Sequence, residues 1–210
     1  MAYRPKMAAA LSGATLRQLS HWRKSPKAIL VPEISLDPLL YSFRDLIALR
    51  AFVFLRQDVP LQKIRTALNN LRNLGEVDHL SKYTLVAHGK KSVVLVDLDR
   101  EQAVDLVEQP GQHVTVVKIG RVLQSFPVRD LEVPNLLQPR KLIAVHPNVR
   151  RGFPVVRGTR IAYDLISGLV RDGVPPDEVK RYYPGVSAGA ARDAVAFAEY
   201  VDRYSTPRAA

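Results

Sequence analysis

The spacing of apolar residues predicts two short helices at the start of the chain. Residues 6–10 are rich in alanine, Gly13 interrupts the pattern, and Leu16 and Leu19 resume it at helical spacing within residues 14–22. Two helices joined at a glycine turn are typical of a helix-turn-helix unit, whose second helix lies in the major groove of DNA. An ordinary helical hairpin with a solvated basic face has the same pattern, so both interpretations stay open.

The next segment predicts a β excursion followed by amphipathic helices. Prolines among β-branched residues favour irregular strands over residues 25–41. Ser42 then stands at the capping position of a helix, with Asp45 three residues further on as in a capping box. Asp58 and the two residues after it end this helix and begin another, for which Gly75 is a natural stop.

In the middle of the chain, the apolar residues no longer follow helical spacing and instead form short β-prone runs. Residues 83–87 and 92–97 predict a β-hairpin, residues 101–108 a short helix, and residues 113–119 a third strand. Asp97 stands close to Asp99 at the end of a predicted strand, where a turn explains the pair better than a catalytic dyad does. We expect this segment to serve packing or dimerisation.

The C-terminal part predicts a hairpin followed by three helices. Short β runs occur at residues 143–145 and 155–156, and apolar spacing from Ile161 onwards favours a helix. A second helix is predicted over residues 177–183, and Ser187 is placed to cap the last one.

These elements predict a chain that is mainly α with small β elements, an α+β fold in three parts. Residues 1–75 form a winged helix-turn-helix domain, residues 76–139 an α+β segment with a linker, and residues 140–210 the hairpin with its helices.

The charge distribution points to a polyanionic partner. The 210 residues carry a net charge of +11, with 12 basic against 4 acidic side chains in residues 1–75, 7 against 9 in residues 76–139, and 12 against 7 in residues 140–210. Basic ends around a mildly acidic middle indicate that the ends bind nucleic acid or another acidic surface. An arginine-rich proteome that decorates solvated faces would produce a similar distribution.

The composition also limits location and chemistry. With no cysteine and no apolar run of about 18 residues, the chain has no disulfide framework and no membrane span, and we expect it in the cytoplasm. No nucleophile elbow or phosphate-binding glycine loop is present, so we expect neither catalysis nor a cofactor. The histidines lack metal-ligand spacing; they are His21, His79, His88, His113 and His146.

The first segment resembles a known family of DNA-binding domains. Residues 8–22, AAALSGATLRQLSHW, and residues 41–46, YSFRDL, are similar to the winged-helix domain of the MerR family, over residues 3–75. The resemblance implies that the helix around residues 15–22 is the recognition helix and that the wing meets phosphate. The expected DNA contacts are Thr15, Arg17, Gln18, His21, Arg23, Lys24, Tyr41, Ser42 and Arg44. Such modules usually bind two half-sites as a two-fold dimer, so we expect a homodimer.

The last segment resembles the domain of unknown function type 433. The strings HPN at residues 146–148, GFPVVRGTRI at residues 152–161 and YPGVS at residues 183–187 carry this resemblance, which covers residues 141–202. Proteins with this domain look like antitoxins of the VapB kind, encoded beside ribonucleases of the PIN type. The resemblance therefore implies an antitoxin that neutralises such a ribonuclease and binds operator DNA to regulate its own operon. The alternative is a MerR-like transcriptional regulator with an unknown effector.

The Arg-Gly-Thr-Arg core of that segment is the candidate contact with the toxin. Arg157 and Arg160 flank Thr159, and residues 140–210 contain ten arginines against two lysines. The planar guanidinium pairs with carboxylates in two-point fashion, which suits the acidic site of a metal-dependent ribonuclease. Alternatively, the two arginines hold backbone carbonyls and carboxylates at the corner between hairpin and helix. The sequence leaves both interpretations open.

Overall fold

The structure is a computed structural model of the chain, and predictions for Gly75 and for residues 113–119 lie outside the part that it describes. Within residues 84–105 the description is limited to the backbone of three strands. The described residues are 2–24, 28–60, 62–64, 66, 84–88, 92–97, 102–105, 123–128 and 131–205.

The first two predicted helices are confirmed. Helix α1 spans Pro5–Ser12 and helix α2 spans Leu16–Trp22. Gly13 ends α1 in the left-handed conformation with φ at 82°, and its N–H donates to the carbonyl of Ala9. Because glycine has no β-carbon, it adopts this turn without steric cost. Thr15 caps α2 and therefore belongs to the turn.

A small hairpin and a long helix complete the predicted winged helix-turn-helix order. Strands β1 (Ser35–Leu36) and β2 (Leu39–Leu40) pair antiparallel. Helix α3 spans Phe43–Asp58 and begins with a capping box, in which the Ser42 hydroxyl accepts from the Asp45 N–H and the Asp45 carboxylate accepts from the Ser42 N–H. The predicted cap is therefore confirmed.

The middle strands form an antiparallel sheet in the order β3-β4-β5. Strands β3 (Thr84–His88) and β4 (Ser92–Asp97) confirm the predicted hairpin. The helix predicted over residues 101–108 is wrong, because β5 (Gln102–Asp105) pairs with β4 in this place. Hydrogen bonds to the neighbouring strand outweigh a short segment's weak preference for helix.

The C-terminal hairpin is also confirmed. It is formed by β8 (Ile143–Ala144) and β9 (Val155–Val156) and is preceded by a further hairpin of β6 (Phe126–Val128) and β7 (Leu131–Val133). These short antiparallel pairs and the helices confirm an α+β fold.

Helix α4 (Tyr163–Arg171) and helix α5 (Ala188–Ser205) follow, and the Ser187 hydroxyl accepts from the Ala190 N–H as predicted. The helix predicted over residues 177–183 is wrong, since only Val179–Arg181 form a 3-10 turn there. The proline after residue 183 disfavours helical backbone before it and leaves too little chain for a full helix. Among the helices described, none is long and apolar enough to cross a membrane.

Helix α1 lies at the centre of a core that both ends of the chain share. Its residues from Met7 to Ser12 are all buried, as expected for a helix that is apolar on every side. It packs against α2, α3 and α5, and the alanines at positions 8–10 allow these close approaches. The Tyr200 hydroxyl of α5 donates to the Ala10 carbonyl at 3.0 Å. The domain boundaries after residues 75 and 139 remain predictions, since this core joins residues from both sides of them.

We expect Gly13→Ala to destabilise the protein strongly. A β-carbon at this position would lie 2.8 Å from Cγ2 of Val133 and 3.1 Å from Cγ1 of Val53. A left-handed alanine costs about 1–2 kcal/mol, and forced overlap in a packed core costs about 1–3 kcal/mol more. The free energy of unfolding from urea denaturation should therefore fall by about 2–5 kcal/mol.

Gly158→Ala is the matched control for this change. Gly158 has a similar positive φ of 78°, but a β-carbon placed on it would have no described atom within 4 Å outside its chain neighbours. It should lose only the backbone contribution of about 1–2 kcal/mol. Equal losses in the two variants would contradict tight packing around Gly13.

Candidate nucleic-acid interface

Helix α2 has one face fixed in the core and the opposite face exposed. Leu19 and Trp22 are buried, and the Trp22 ring meets Phe52 of α3 edge-on at 6.2 Å between centroids. Arg17 and His21 lie on the exposed side. The helix is therefore held against α3 by its apolar residues and presents polar and basic residues to solvent.

The first turn of α2 is held by two of the predicted DNA contacts. The Thr15 hydroxyl accepts from the Gln18 N–H at 3.1 Å, and Oε1 of Gln18 accepts from the Thr15 N–H at 2.8 Å. This is a complete capping box, which leaves the Nε2 donors of Gln18 outside it. Thr15 consequently serves to cap the helix. Gln18 takes part in the same cap through Oε1, and the two N–H groups of its side-chain amide are not used by the cap.

The end of α2 adds two further basic residues. Lys24 is exposed, whereas Arg23 is half-buried and its Nε atom is buried without a hydrogen-bond partner among the described residues. Arg23 therefore lies between the surface and the core, and Lys24 is the more accessible of the two.

The predicted wing contacts differ in exposure. Tyr41 is only 1% exposed, and burial raises the pKa of its phenol to about 12. Its position in the core corrects the prediction that its side chain lies where the wing would meet phosphate. The Ser42 hydroxyl caps α3. Arg44 is 68% exposed, and its distance of 3.7 Å from the Glu33 carboxylate indicates a weak surface pair that leaves it accessible.

The charge around these residues has one sign. Residues 1–32 contain six lysines and arginines and no aspartate or glutamate. The first carboxylate of the chain, Glu33, is the one beside Arg44. Counting charge over residues 1–75 hides this asymmetry, whereas a shorter window starting at the first residue reveals it. The exposed face of α2 therefore lies in a segment without negative side chains.

The turn after β9 is held by Thr159. Its hydroxyl donates to the Val156 carbonyl at 2.8 Å and accepts from the Ile161 N–H at 3.0 Å. Arg157 and Arg160 are exposed, and neither guanidinium has a hydrogen bond or an ion pair with a described residue. The corner is thus maintained by Thr159 and backbone hydrogen bonds, and the alternative in which the arginines hold it is wrong.

No metal-binding geometry is found in the part of the chain that the structure describes, where no three histidine, aspartate or glutamate side chains come together.

Comparison with known proteins supports the assignment of the C-terminal part. The family model DUF433, described as a protein of unknown function, matches residues 143–198. This match confirms the resemblance predicted for residues 141–202.

Sequence relatives provide a second comparison. Over 130 residues the chain is 32% identical to Rv1830 of Mycobacterium tuberculosis and to Mb1861 of Mycobacterium bovis, each named an uncharacterized HTH-type transcriptional regulator. The aligned region covers 59% of this chain and 55% of each relative, so the chain spans about half the length of these proteins.

A solved structure shares the fold. The crystal structure of Rv2018 from Mycobacterium tuberculosis superimposes with a TM-score of 0.52 at 18% sequence identity, over 92% of this chain and 96% of that one. The likeness extends over both the winged helix and the DUF433 region. At this identity it is evidence for the fold alone.

We expect Thr159→Val to lower the free energy of unfolding by about 1–2 kcal/mol, because it removes a hydroxyl that satisfies two backbone groups. The double variant Arg157→Ala with Arg160→Ala should change it by less than about 0.5 kcal/mol, as exposed side chains without partners usually do. Thermal unfolding followed by circular dichroism measures both. If the arginine variant proved the less stable of the two, Thr159 would not be the residue that holds the corner.

Proposed function

We propose that this chain is a DNA-binding transcriptional regulator that contacts duplex DNA through α2 and the wing. The exposed face of α2 carries the proposal, since it presents Arg17, His21 and Lys24 in a segment of 32 residues that has no carboxylate. The names of Rv1830 and Mb1861 as helix-turn-helix regulators support it. Arg44 adds a further exposed basic residue in the first turn of α3, directly after the wing.

The geometry suggests a division of roles on DNA. Arg17, Lys24 and Arg44 are suited to the phosphates, which fix the register of a protein on the duplex. His21 and the Nε2 donors of Gln18 are suited to the edges of bases in the major groove. Because Gln18 is also held by the capping box, its donors start from a defined position.

Salt titration of duplex binding tests this proposal. Log affinity should fall linearly with log salt, and Arg17→Ala should reduce the slope by about 0.9 because one phosphate contact is lost. Gln18→Glu keeps an acceptor for the capping box but removes the two donors, so it should change the preferred sequence selected from a random duplex pool. Helix-turn-helix modules usually bind as two-fold dimers, and we expect two chains per duplex at saturation.

Arg181→Ala is the control for the loss of one positive charge. Arg181 is 71% exposed and pairs with Glu178 at the 3-10 turn, away from α2 in the chain. For the Arg181→Ala variant, the slope of log DNA affinity against log salt should equal that of the unmodified protein. Binding that is insensitive to salt, or equal losses in the Arg17 and Arg181 variants, would contradict the proposed interface.

We further propose that this regulator is an antitoxin that neutralises a PIN-type ribonuclease. The DUF433 match over residues 143–198 supports this, together with the exposed arginines of the β9 turn. Since Thr159 maintains the turn, Arg157 and Arg160 are available to a partner. Their planar groups keep their charge on burial and suit the clustered carboxylates of a metal-dependent nuclease site.

Co-expression of the full chain with the product of the adjacent gene, which this proposal expects to be a ribonuclease, tests the antitoxin role. Arg157→Ala with Arg160→Ala should weaken the complex at least tenfold and restore ribonuclease activity, while the salt slope on DNA stays unchanged. The full chain is needed because α5 packs on α1.

Arg181→Ala with Arg203→Ala removes the same number of exposed charges and should still neutralise. A folded Arg157 and Arg160 variant that neutralises fully would contradict the proposed contact. If no ribonuclease is bound while DNA binding persists, the free-standing MerR-like regulator becomes the better account.

A further inference from the structure

The turn that precedes β9 has an unusual backbone. Arg150, Arg151 and Gly152 adopt consecutive left-handed conformations, with φ at 47°, 54° and 82°. A residue with a β-carbon rarely takes this conformation, and two in succession are held by their surroundings at a cost in stability. Arg151 is exposed, so its side chain is not part of the packing that holds the turn. Residues kept in such conformations often have a functional role.

Gly152 is packed directly against the N-terminal part of the chain. A β-carbon on it would lie 2.8 Å from Cδ2 of Phe43 and 3.0 Å from the Tyr3 hydroxyl, which donates to the Gly152 carbonyl. Tyr3 also pairs through both backbone groups with Tyr41, immediately before α3. The turn of the DUF433 region thus lies against the beginning of α3, beside the base of the wing.

Each of the three residues that meet here has an arginine next to it in the chain. Arg4 follows Tyr3, Arg44 follows Phe43, and Arg151 precedes Gly152 on the exposed side of its turn; all three arginines are exposed. Arg44 has only the weak pair with Glu33, and the other two have no ion pair with a described residue. The packed contact therefore has three exposed arginines next to it in the chain. Two carboxylates lie nearby: Glu33, which forms the weak pair with Arg44, and the buried Asp45, which accepts from the N–H groups of Ser42 and Glu33.

Arg150 differs from Arg151 in its contacts. Its guanidinium donates to the Arg160 carbonyl at 3.4 Å, so it extends toward the β9 turn that we assign to the protein partner. Arg151 has no such contact with a described residue. Of the two neighbouring arginines, Arg150 is therefore engaged with the β9 turn, whereas Arg151 is exposed next to Gly152, which packs on Phe43 and Tyr3.

We propose that Arg151, together with Arg4 and Arg44, binds the phosphate backbone of DNA beside the wing, so that the DUF433 region contributes directly to the DNA interface. This inference rests on the proposed DNA-binding function. Duplex DNA is the partner that fits because Arg44 lies in the first turn of α3, directly after the wing, and Arg4 belongs to the carboxylate-free segment of residues 1–32. Arginine side chains are among the usual hydrogen-bond donors to phosphate oxygens of DNA.

Salt titration of the full-length protein with Arg151→Gly provides the test. Glycine adopts φ near 54° freely, so this variant loses the charge without straining the turn, and its thermal midpoint should not fall. The slope of log affinity against log salt should decrease by about 0.9, the value for one phosphate. Arg151→Lys retains a positive charge and should keep the slope.

Arg4→Ala provides an independent test of the same surface. Arg4 stands at the N-cap of α1 but makes no capping hydrogen bond through its side chain, so its replacement leaves the helix end intact. It should also lower the slope by about 0.9. Arg181→Ala, which removes a charge elsewhere, should leave the slope unchanged.

The outcomes separate this inference from the proposed function. If Arg17→Ala lowers the slope but Arg151→Gly and Arg4→Ala do not, the inference is overturned and DNA binding through α2 stands. If the unmodified protein binds no duplex, both fail. If Arg151→Gly keeps the DNA slope but releases the ribonuclease, the surface serves a protein partner, which also overturns the inference.

Discussion

The buried guanidinium of Arg50 constrains the position of the helix-turn-helix. This side chain of α3 has no solvent exposure; it donates to the carbonyls of Leu11 and Gln124 and lies 4.9 Å from the centroid of the Phe126 ring. Burial lowers its pKa to about 10, so it remains charged at neutral pH. A buried charge is tolerated only where hydrogen bonds compensate its lost hydration. The end of α1 and the segment before β6 must therefore be in place together.

The Leu11 carbonyl that Arg50 binds connects this buried charge to the proposed DNA-binding helix. Leu11 lies in the last turn of α1, where carbonyls lack helical partners and the helix dipole is negative. A cation bound there fixes the end of α1 immediately before the Gly13 turn that sets the direction of α2. The orientation of the candidate recognition helix thus depends on a residue from α3 and on a segment more than 70 positions further along the chain.

A chain of aromatic rings extends the same dependence to the C-terminal part. Tyr3 lies 6.3 Å from Phe153 between ring centroids, Phe153 lies 5.9 Å from Tyr163, and Tyr163 meets Phe197 at 4.8 Å. From there Tyr200 returns to α1 through its hydrogen bond with Ala10. The winged helix and the DUF433 region therefore pack against each other through these side chains. A change in the packing of one region consequently alters the contacts of the other.

Local signals predicted the elements well, and long-range contacts explain what they missed. Capping by Ser42 and Ser187 depends on residues three positions apart, so it could be recognised in the sequence. The strand β5 could not, because its conformation is set by pairing with β4. Likewise, the burial of Tyr41 and the packing of Gly152 on Phe43 arise from segments far apart in the chain, for which no periodicity gives a signal.

The most direct test of this account is whether the two parts unfold as one unit. Trp22 is the only tryptophan and reports on α2, whereas hydrogen exchange of the α5 amides reports on the DUF433 region. With increasing urea, both signals should change at one midpoint, and Phe197→Ala should shift both midpoints equally although Phe197 lies in α5. Separate midpoints, or a Phe197 variant that shifts only the α5 signal, would contradict a shared core.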